Sequence, residues 1–190
     1  MREAKTSDSL SVLRIATVTV VLAAALCAGA AAQSGAGRTV EVASAQVSEV
    51  PQLQTELYGA INSLRASKGL SRLRSNPALG STSLAHSISM ARHGYFAHED
   101  FGGAAFWQRI KARYRPTRGS WEVGENIVWA SPELNARQAL DLWLQSPPHR
   151  RTLLTAAWRD IGIGAVRAVG APGVYQGLDV TIITADFGVR

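Results

Sequence analysis

The sequence predicts an α+β fold in which helices come first and an antiparallel sheet comes last. Between residues 53 and 146, apolar residues recur at spacings of three and four, which is typical of amphipathic helices. From residue 161 onward they alternate with glycine or are β-branched, which is typical of strands. These strands follow one another with only a turn between them, whereas a doubly wound fold would need strands that alternate with helices.

Two helices are predicted in the first half of the domain. The first runs from about Leu53 to Gly69, which can end a helix because glycine tolerates positive φ. The second begins at Asn76 and Pro77, since asparagine is a good N-cap and proline suits the first turn. Gly94 is expected to end this second helix.

Two further helices and two strands complete the prediction. A short helix fits residues 104–113, and a fourth is expected to open at residues 131–133. The proline pair 147–148 should end it, and a short turn should follow. Residues 161–165 and 180–187 are the predicted strands.

The N-terminus is typical of a secretory signal peptide. Basic residues precede an apolar run over 15–28, and small residues lead up to a cleavage site near Ala32. A retained membrane anchor is the alternative, but the apolar run is shorter than the roughly 20 residues that a span requires. We therefore divide the chain into a signal peptide (1–32), a flexible leader (33–52) and one domain (53–190).

Composition excludes several classes of protein. The chain has 190 residues, a formal net charge of +6 and a single cysteine. That cysteine, Cys27, lies in the signal peptide, so a disulfide framework, a cysteine zinc site and a cysteine nucleophile are all excluded from the mature chain. The common nucleotide-binding, serine-hydrolase and zinc-protease motifs are also absent from the sequence.

Histidines and one acid remain as candidates for chemistry. His98 and His149 each follow a predicted helix, and Glu125 lies in an apolar segment between them. A buried glutamate needs a partner, and two imidazoles together with a carboxylate can share a divalent metal. Unrelated surface positions are the alternative, which spacing alone leaves open. His86 and His93 lie within a predicted helix and are expected to be structural.

A set of motifs matches one known family in order and spacing. The motifs are Ile61-Asn62-Ser63-Leu64-Arg65, Gly94-Tyr95-Phe96-Ala97-His98, Gly124-Glu125-Asn126-Ile127, Trp143-Leu144-Gln145-Ser146-Pro147-Pro148-His149-Arg150, Ile161-Gly162-Ile163-Gly164 and Ala185-Asp186-Phe187-Gly188. The chain thereby resembles the CAP superfamily of cysteine-rich secretory, antigen 5 and pathogenesis-related proteins, and most of all its bacterial SCP-like branch. The resemblance runs from about residue 53 to 188. It implies an α-β-α sandwich with a small antiparallel sheet between helical layers.

The resemblance also implies a cleft lined by two histidines and two acids. His98 and His149 match the histidines, and Glu125 matches the first acid. Ser146 occupies the position where eukaryotic members have the second acid. This departure puts in doubt any mechanism that needs two carboxylates.

Metal binding is expected to be weak and conditional. The two histidines of the family can hold zinc, but the metal is often absent, and structural zinc usually takes four ligands. We predict zinc binding by His98 and His149, with Glu125 either a third ligand or a group that orients an imidazole. No other cofactor is expected.

The predicted function is that of a secreted bacterial binding module that acts at or outside the cell envelope as a monomer. Its partner is expected to be a lipid or an anionic envelope polymer. Specific nucleic-acid binding is not expected, nor is a stable membrane span once the signal peptide is cleaved. A metal-dependent, protease-like hydrolase is the alternative, and binding is favoured over catalysis.

One basic stretch supports two interpretations. Its five positive residues are Arg109, Lys111, Arg113, Arg115 and Arg118. We interpret the stretch as a solvated helix face that runs into a loop. The alternative is a surface for an anionic extracellular partner.

Overall fold

The computed structural model describes residues 45–116 and 121–190. The predicted signal peptide and the first twelve residues of the predicted leader, 33–44, lie outside this part of the chain. Within the described residues, no helix is both long enough and apolar enough to cross a membrane.

The described residues form five strands, five helices and one short 3-10 helix. In chain order the elements are β1 (Gln46–Glu49), α1 (Pro51–Ser67), β2 (Arg74–Ser75), α2 (Pro77–His93), α3 (Phe106–Arg113), β3 (Glu122–Ala130), α4 (Ala136–Gln145), α5 (Pro147–Leu154), β4 (Asp160–Ala171), a 3-10 helix (Gly173–Tyr175) and β5 (Leu178–Val189). The predicted α+β class is confirmed, with an antiparallel sheet between helical layers.

The sheet has the order β1-β4-β5-β3, and the short β2 pairs in parallel with the start of β4. All pairs along the main order are antiparallel. Glu125 of β3 lies opposite Asp186 of β5, and Asn126 lies opposite Ala185. Because successive side chains of a strand point to opposite faces, Glu125 and Asn126 face different helical layers.

One face of the sheet is covered by α1, α4 and α5. Its core is apolar, and residues such as Leu57, Ile61, Trp143, Leu153 and Phe187 are almost completely buried there. Leu57 and Ile61 belong to the apolar stripe predicted for α1, and Trp143 belongs to the stripe predicted for α4. The other two residues come from α5 and β5. Helix spacing in the sequence therefore identifies the apolar face of the sandwich.

The other face is covered by α2 and α3, and α2 lies unusually close to β4. A Cβ atom at Gly162 would overlap the backbone nitrogen of Gly80. Ser83 and Ser87 donate hydrogen bonds from their hydroxyls to the carbonyl oxygens of Gly162 and Gly164, at 3.1 and 3.0 Å. Small and polar residues thus bring the α2 backbone directly onto the sheet.

The predicted ends of α2 are confirmed. The Asn76 side chain accepts hydrogen bonds from the backbone N–H groups of Ala78 and Leu79. Gly94 ends the helix in the left-handed conformation, with φ of 69°.

The predicted start of α4 is wrong, and so is the short turn that was expected after the proline pair. Helix α4 begins at Ala136, because Asn135 forms a capping box with Gln138 that residues 131–133 cannot form. The prolines at 147 and 148 begin α5 instead of only ending α4, since proline suits the first helical turn. His149 therefore lies in a helix that the sequence analysis took for a turn.

Regular structure also begins earlier than predicted. Residues 46–49, which we assigned to the leader, form β1 and pair with β4. Helix α1 then starts at Pro51. Strand β3 was not predicted either, because its glycine, glutamate and asparagine interrupt the apolar pattern.

Candidate functional site

His98 lies on a loop that leaves α2, and several contacts fix that loop. The buried His86 ring lies with Nε2 3.0 Å from the carbonyl oxygen of Ala97. Tyr175 donates a hydrogen bond from its hydroxyl to the carbonyl oxygen of Tyr95, at 2.9 Å. Burial is the main reason that the pKa of His86 lies below its usual value, so His86 is neutral and acts as a structural hydrogen-bond donor to the loop.

Glu125 is the central acid of the site, and its side chain is completely buried. Its Oε1 lies 2.8 Å from Nδ1 of His98, and its Oε2 contacts the guanidinium of Arg109. Burial alone would raise the pKa of Glu125, but the hydrogen bond from His98 and the charge of Arg109 outweigh it and lower the pKa. The ionised carboxylate can only accept, so His98 donates from Nδ1.

Asp186 is a second buried acid on the same face. Arg109 also reaches this residue, with its NH1 atom 3.4 Å from Oδ2. Burial, together with the charge of Glu125, raises the pKa of Asp186 to about 8. The Thr82 hydroxyl lies 2.9 Å from the carbonyl oxygen of Leu79 and 2.7 Å from Oδ2 of Asp186. A hydroxyl has one proton to donate, so a proton on Asp186 allows both contacts to be hydrogen bonds.

His149 approaches from the other face of the sheet. It lies in the first turn of α5, and its carbonyl oxygen accepts a 3.0 Å hydrogen bond from Nδ2 of Asn126. The ring centres of His98 and His149 are 6.4 Å apart. Burial and the neighbouring His98 lower the pKa of His149, so its imidazole is neutral at pH 7. Consecutive residues of β3, Glu125 and Asn126, thus hold the two histidines from opposite faces of the same strand.

Ser146 completes the predicted set. It joins α4 to α5, three residues before His149, and it is half-buried. The structure therefore brings His98, Glu125 and His149 together, with Ser146 at the junction next to His149.

Two members of this network were missed in the sequence. Arg109 was taken for part of a solvated basic stretch, but only 12% of its side chain is exposed. Lys111, Arg113 and Arg115 are exposed, as we interpreted them, and residue 118 lies outside the described residues. The sequence around Asp186 could have predicted its role, because an acid inside a strand of β-branched residues is expected to be buried and to need a partner.

The residues fit a metal only in part. In the described residues, no group of three or more His, Cys, Asp or Glu side chains is arranged to hold a metal ion. Two imidazoles that share a tetrahedral zinc at about 2.1 Å have ring centres about 5 Å apart, so the two rings would need to approach by about 1 Å. Both oxygens of Glu125 are already engaged. If a metal binds here, the two histidines would be its ligands and Glu125 would orient His98.

A model of the CAP family, described as the cysteine-rich secretory protein family, matches residues 58–177. The chain belongs to this family. The matched range includes all four cleft positions that we predicted, and it ends before β5. Asp186, which closes the buried network from β5, therefore lies outside the matched range.

Solved structures of similar fold come from three bacteria. An extracellular protein containing a SCP domain from Bacillus anthracis has a TM-score of 0.58 at 21% identity, and the match covers 74% of this chain and 41% of that one. An outer surface protein from Borrelia burgdorferi also has a TM-score of 0.58, at 20% identity, with coverage of 76% and 99%. A cysteine-rich secretory protein from Staphylococcus aureus has a TM-score of 0.53 at 17% identity, with coverage of 82% and 42%. These likenesses support the fold of this CAP domain.

A curated relative is also similar in sequence. The uncharacterized membrane protein YlbC of Bacillus subtilis is 24% identical over 114 residues, which are 60% of this chain and 32% of the relative. The chain thus spans about a third of the length of that protein.

Proposed function

We propose that the protein is an extracellular binding module of the CAP family and that its binding position is the cleft of His98 and His149. In this proposal the two histidines hold a divalent ion such as zinc weakly and exchangeably, and the ion supplies a Lewis-acid position for an anionic group of the partner. Two of the solved relatives are described as extracellular or outer-surface proteins, which supports this location.

One observation carries the proposal. Glu125 holds Nδ1 of His98 at 2.8 Å, and the neutral His149 lies across from it with 6.4 Å between the ring centres. A histidine that donates one nitrogen to a carboxylate has its other nitrogen free and its ring oriented, which is how proteins prepare an imidazole for a ligand. Two such nitrogens leave most of the coordination sphere open, so the affinity is expected to be modest.

Binding is favoured over the alternative of a metal-dependent hydrolase. A general base must reach the proton that it takes from water or from substrate. The side chains of Glu125 and Asp186 are both fully buried, and Glu125 is already bonded through both oxygens. Neither of these two carboxylates is accessible for this role, and Ser146 stands where eukaryotic members of the family have the second acid.

Zinc titration by calorimetry tests the metal site. The wild-type protein is expected to bind zinc with measurable heat, and His98→Ala/His149→Ala is expected to lose that heat. His93→Ala removes an exposed histidine of α2 and is the matched control. Equal heats for the wild type and the double variant would contradict the proposal.

The partner that we propose is an anionic polymer of the cell envelope. Helix α5, which carries His149, also lines an open cavity of about 430 Å³ with Arg150 and Arg151. None of the described residues that line this cavity is acidic, and Leu144 and Leu154 form its apolar part. Guanidinium groups suit phosphate and carboxylate groups, so this surface favours a polyanion over a neutral lipid.

Co-sedimentation with a poly(glycerol phosphate) polymer tests this partner. Arg150→Ser/Arg151→Ser is expected to bind at least about fivefold more weakly, and rising salt should reduce binding by the wild type because the charges are exposed. Arg137→Ser on exposed α4 is the matched control. Binding to phosphatidylglycerol vesicles without binding to the polymer would contradict the proposed partner and indicate a lipid.

A further inference from the structure

The buried side chain of Arg109 lies directly behind the pair formed by His98 and Glu125. We propose that Arg109 is the positioning residue of the cleft: it holds the carboxylate of Glu125 so that this carboxylate fixes the ring of His98. The inference rests on the proposed function, because it concerns the same cleft. It goes beyond that proposal because it assigns the orientation of His98 to Arg109 of α3, which acts through Glu125 and not on either histidine ring.

The geometry gives Glu125 a single orientation. One of its oxygens accepts from Nδ1 of His98 and the other contacts Arg109. A carboxylate that is bonded through both oxygens, inside a fully buried site, cannot rotate without breaking one of these bonds. The direction of the Nδ1–H bond of His98 is therefore set by where Arg109 holds the far oxygen.

Arg109 is itself held from two other elements. Its NH1 atom lies 3.4 Å from the carbonyl oxygen of Thr82 in α2 and 3.4 Å from Oδ2 of Asp186 in β5. Both contacts are long, so each holds the guanidinium loosely, and the contact with Glu125 is the closest of the three. Helix α2 and strand β5 thus support Arg109, which positions Glu125, which in turn orients His98.

The charges are consistent with this assignment. A fully buried carboxylate is costly unless a positive group compensates it. Arg109 supplies that charge: burial lowers the pKa of its guanidinium, but the neighbouring Glu125 outweighs this effect and the pKa is raised. Arg109 and His98 thus both stabilise the buried charge of Glu125, each through a different oxygen of the carboxylate.

The experiment measures the tautomer of His98 by nitrogen NMR in the metal-free protein, together with zinc affinity by calorimetry. The wild type is expected to show one tautomer, with the proton on Nδ1. Arg109→Met is expected to give a mixture of tautomers and to weaken zinc binding by about 10- to 100-fold. Arg109→Lys keeps the charge and is expected to restore most of both properties. Arg113→Met, on the exposed side of α3, is the matched control.

The outcomes separate this inference from the proposed function. A folded Arg109→Met variant with a single Nδ1–H tautomer and zinc affinity within about twofold of wild type would overturn the role of Arg109. If the methionine variant does not fold, Arg109→Gln provides a polar, uncharged side chain that ends near the position of the arginine Nε and cannot reproduce the guanidinium contact with Glu125, so the same two outcomes decide. A wild type that binds no zinc removes the proposed metal site, but the tautomer measurement still tests Arg109.

Discussion

Both faces of the sheet are buried, but they are held together in different ways. The face under α1, α4 and α5 is built mainly from large apolar side chains such as Leu57, Trp143 and Leu153, with Asn62 and Arg65 of α1 as buried polar exceptions. The face under α2 and α3 contains hydroxyls, two acids, an arginine and a histidine; its buried polar residues are Thr82, Ser83, His86, Ser87, Glu125, Thr184 and Asp186, with Arg109 mostly buried beside them. Both faces bury apolar side chains, and the face under α2 and α3 adds a network of polar side chains that are oriented by hydrogen bonds.

This difference explains where the cleft lies. A polar network is costly to bury unless nearly every group finds a partner, so it requires backbones that approach closely and in one register. Gly162 and Gly164 allow that approach by α2, and the register of β3 on β5 places Glu125 beside Asp186. The apolar face tolerates more variation in shape, and it contributes to the site mainly by placing His149 through α5.

The largest effect on stability is expected from adding a side chain where α2 and β4 are in direct contact. In Gly162→Ala, the new methyl group would overlap the backbone of Leu79 and Gly80, which cannot move without lifting the helix from the sheet. We expect a loss of more than about 3 kcal/mol in the free energy of unfolding, at the upper end for overpacked sites. Urea unfolding followed by circular dichroism measures it.

The matched control lies across the same interface. A methyl group at Gly80 meets no atom within 4 Å, and the residue lies in a helix interior. Gly80→Ala is therefore expected to stabilise the protein by up to about 1 kcal/mol, as alanine does relative to glycine in helices. If the two variants have similar stability, the close approach of α2 is not what holds the polar face together.

Sequence patterns predict local features on both faces of the sheet where local chemistry decides them. The stripe of α1, the cap at Asn76 and the end of α2 at Gly94 follow from local spacing and local backbone chemistry. The start of α4 does not, because Pro132 is a plausible helix opener while the bonds that decide are those between Asn135 and Gln138. Capping and spacing patterns predict a helix end correctly where no second residue nearby offers a competing start or stop signal.

The candidate site could be predicted as far as its motifs extend. His98, Glu125 and His149 were singled out in the sequence, and the structure brings them together. Arg109 could not be found in this way, because its neighbours in the sequence are exposed cations and its burial comes from pairing with acids on β3 and β5. Those partners lie 16 and 77 residues away in the chain. Long-range charge pairing leaves no periodic trace in a sequence.

An effect on stability that depends on pH is expected from Asp186. Glu125, Arg109, Thr82 and Ser83 face this carboxyl, and burial raises its pKa to about 8 in the folded protein. The unfolded chain loses the same proton near pH 4. Between these values the native state retains a proton that the unfolded state has released, so the contribution of Asp186 to stability falls as the pH rises.

Asp186→Asn cannot titrate and should not show this loss. We expect the stability of the variant to improve relative to wild type by on the order of 1 kcal/mol for each pH unit between about pH 5 and pH 8, and to stop improving above about pH 8. Urea unfolding of both proteins across this range measures the gap, with Asp141→Asn on exposed α4 as the control for losing a carboxylate. A gap that stays constant with pH would mean that Asp186 is ionised throughout, in which case Arg109 compensates two charges on the polar face instead of one.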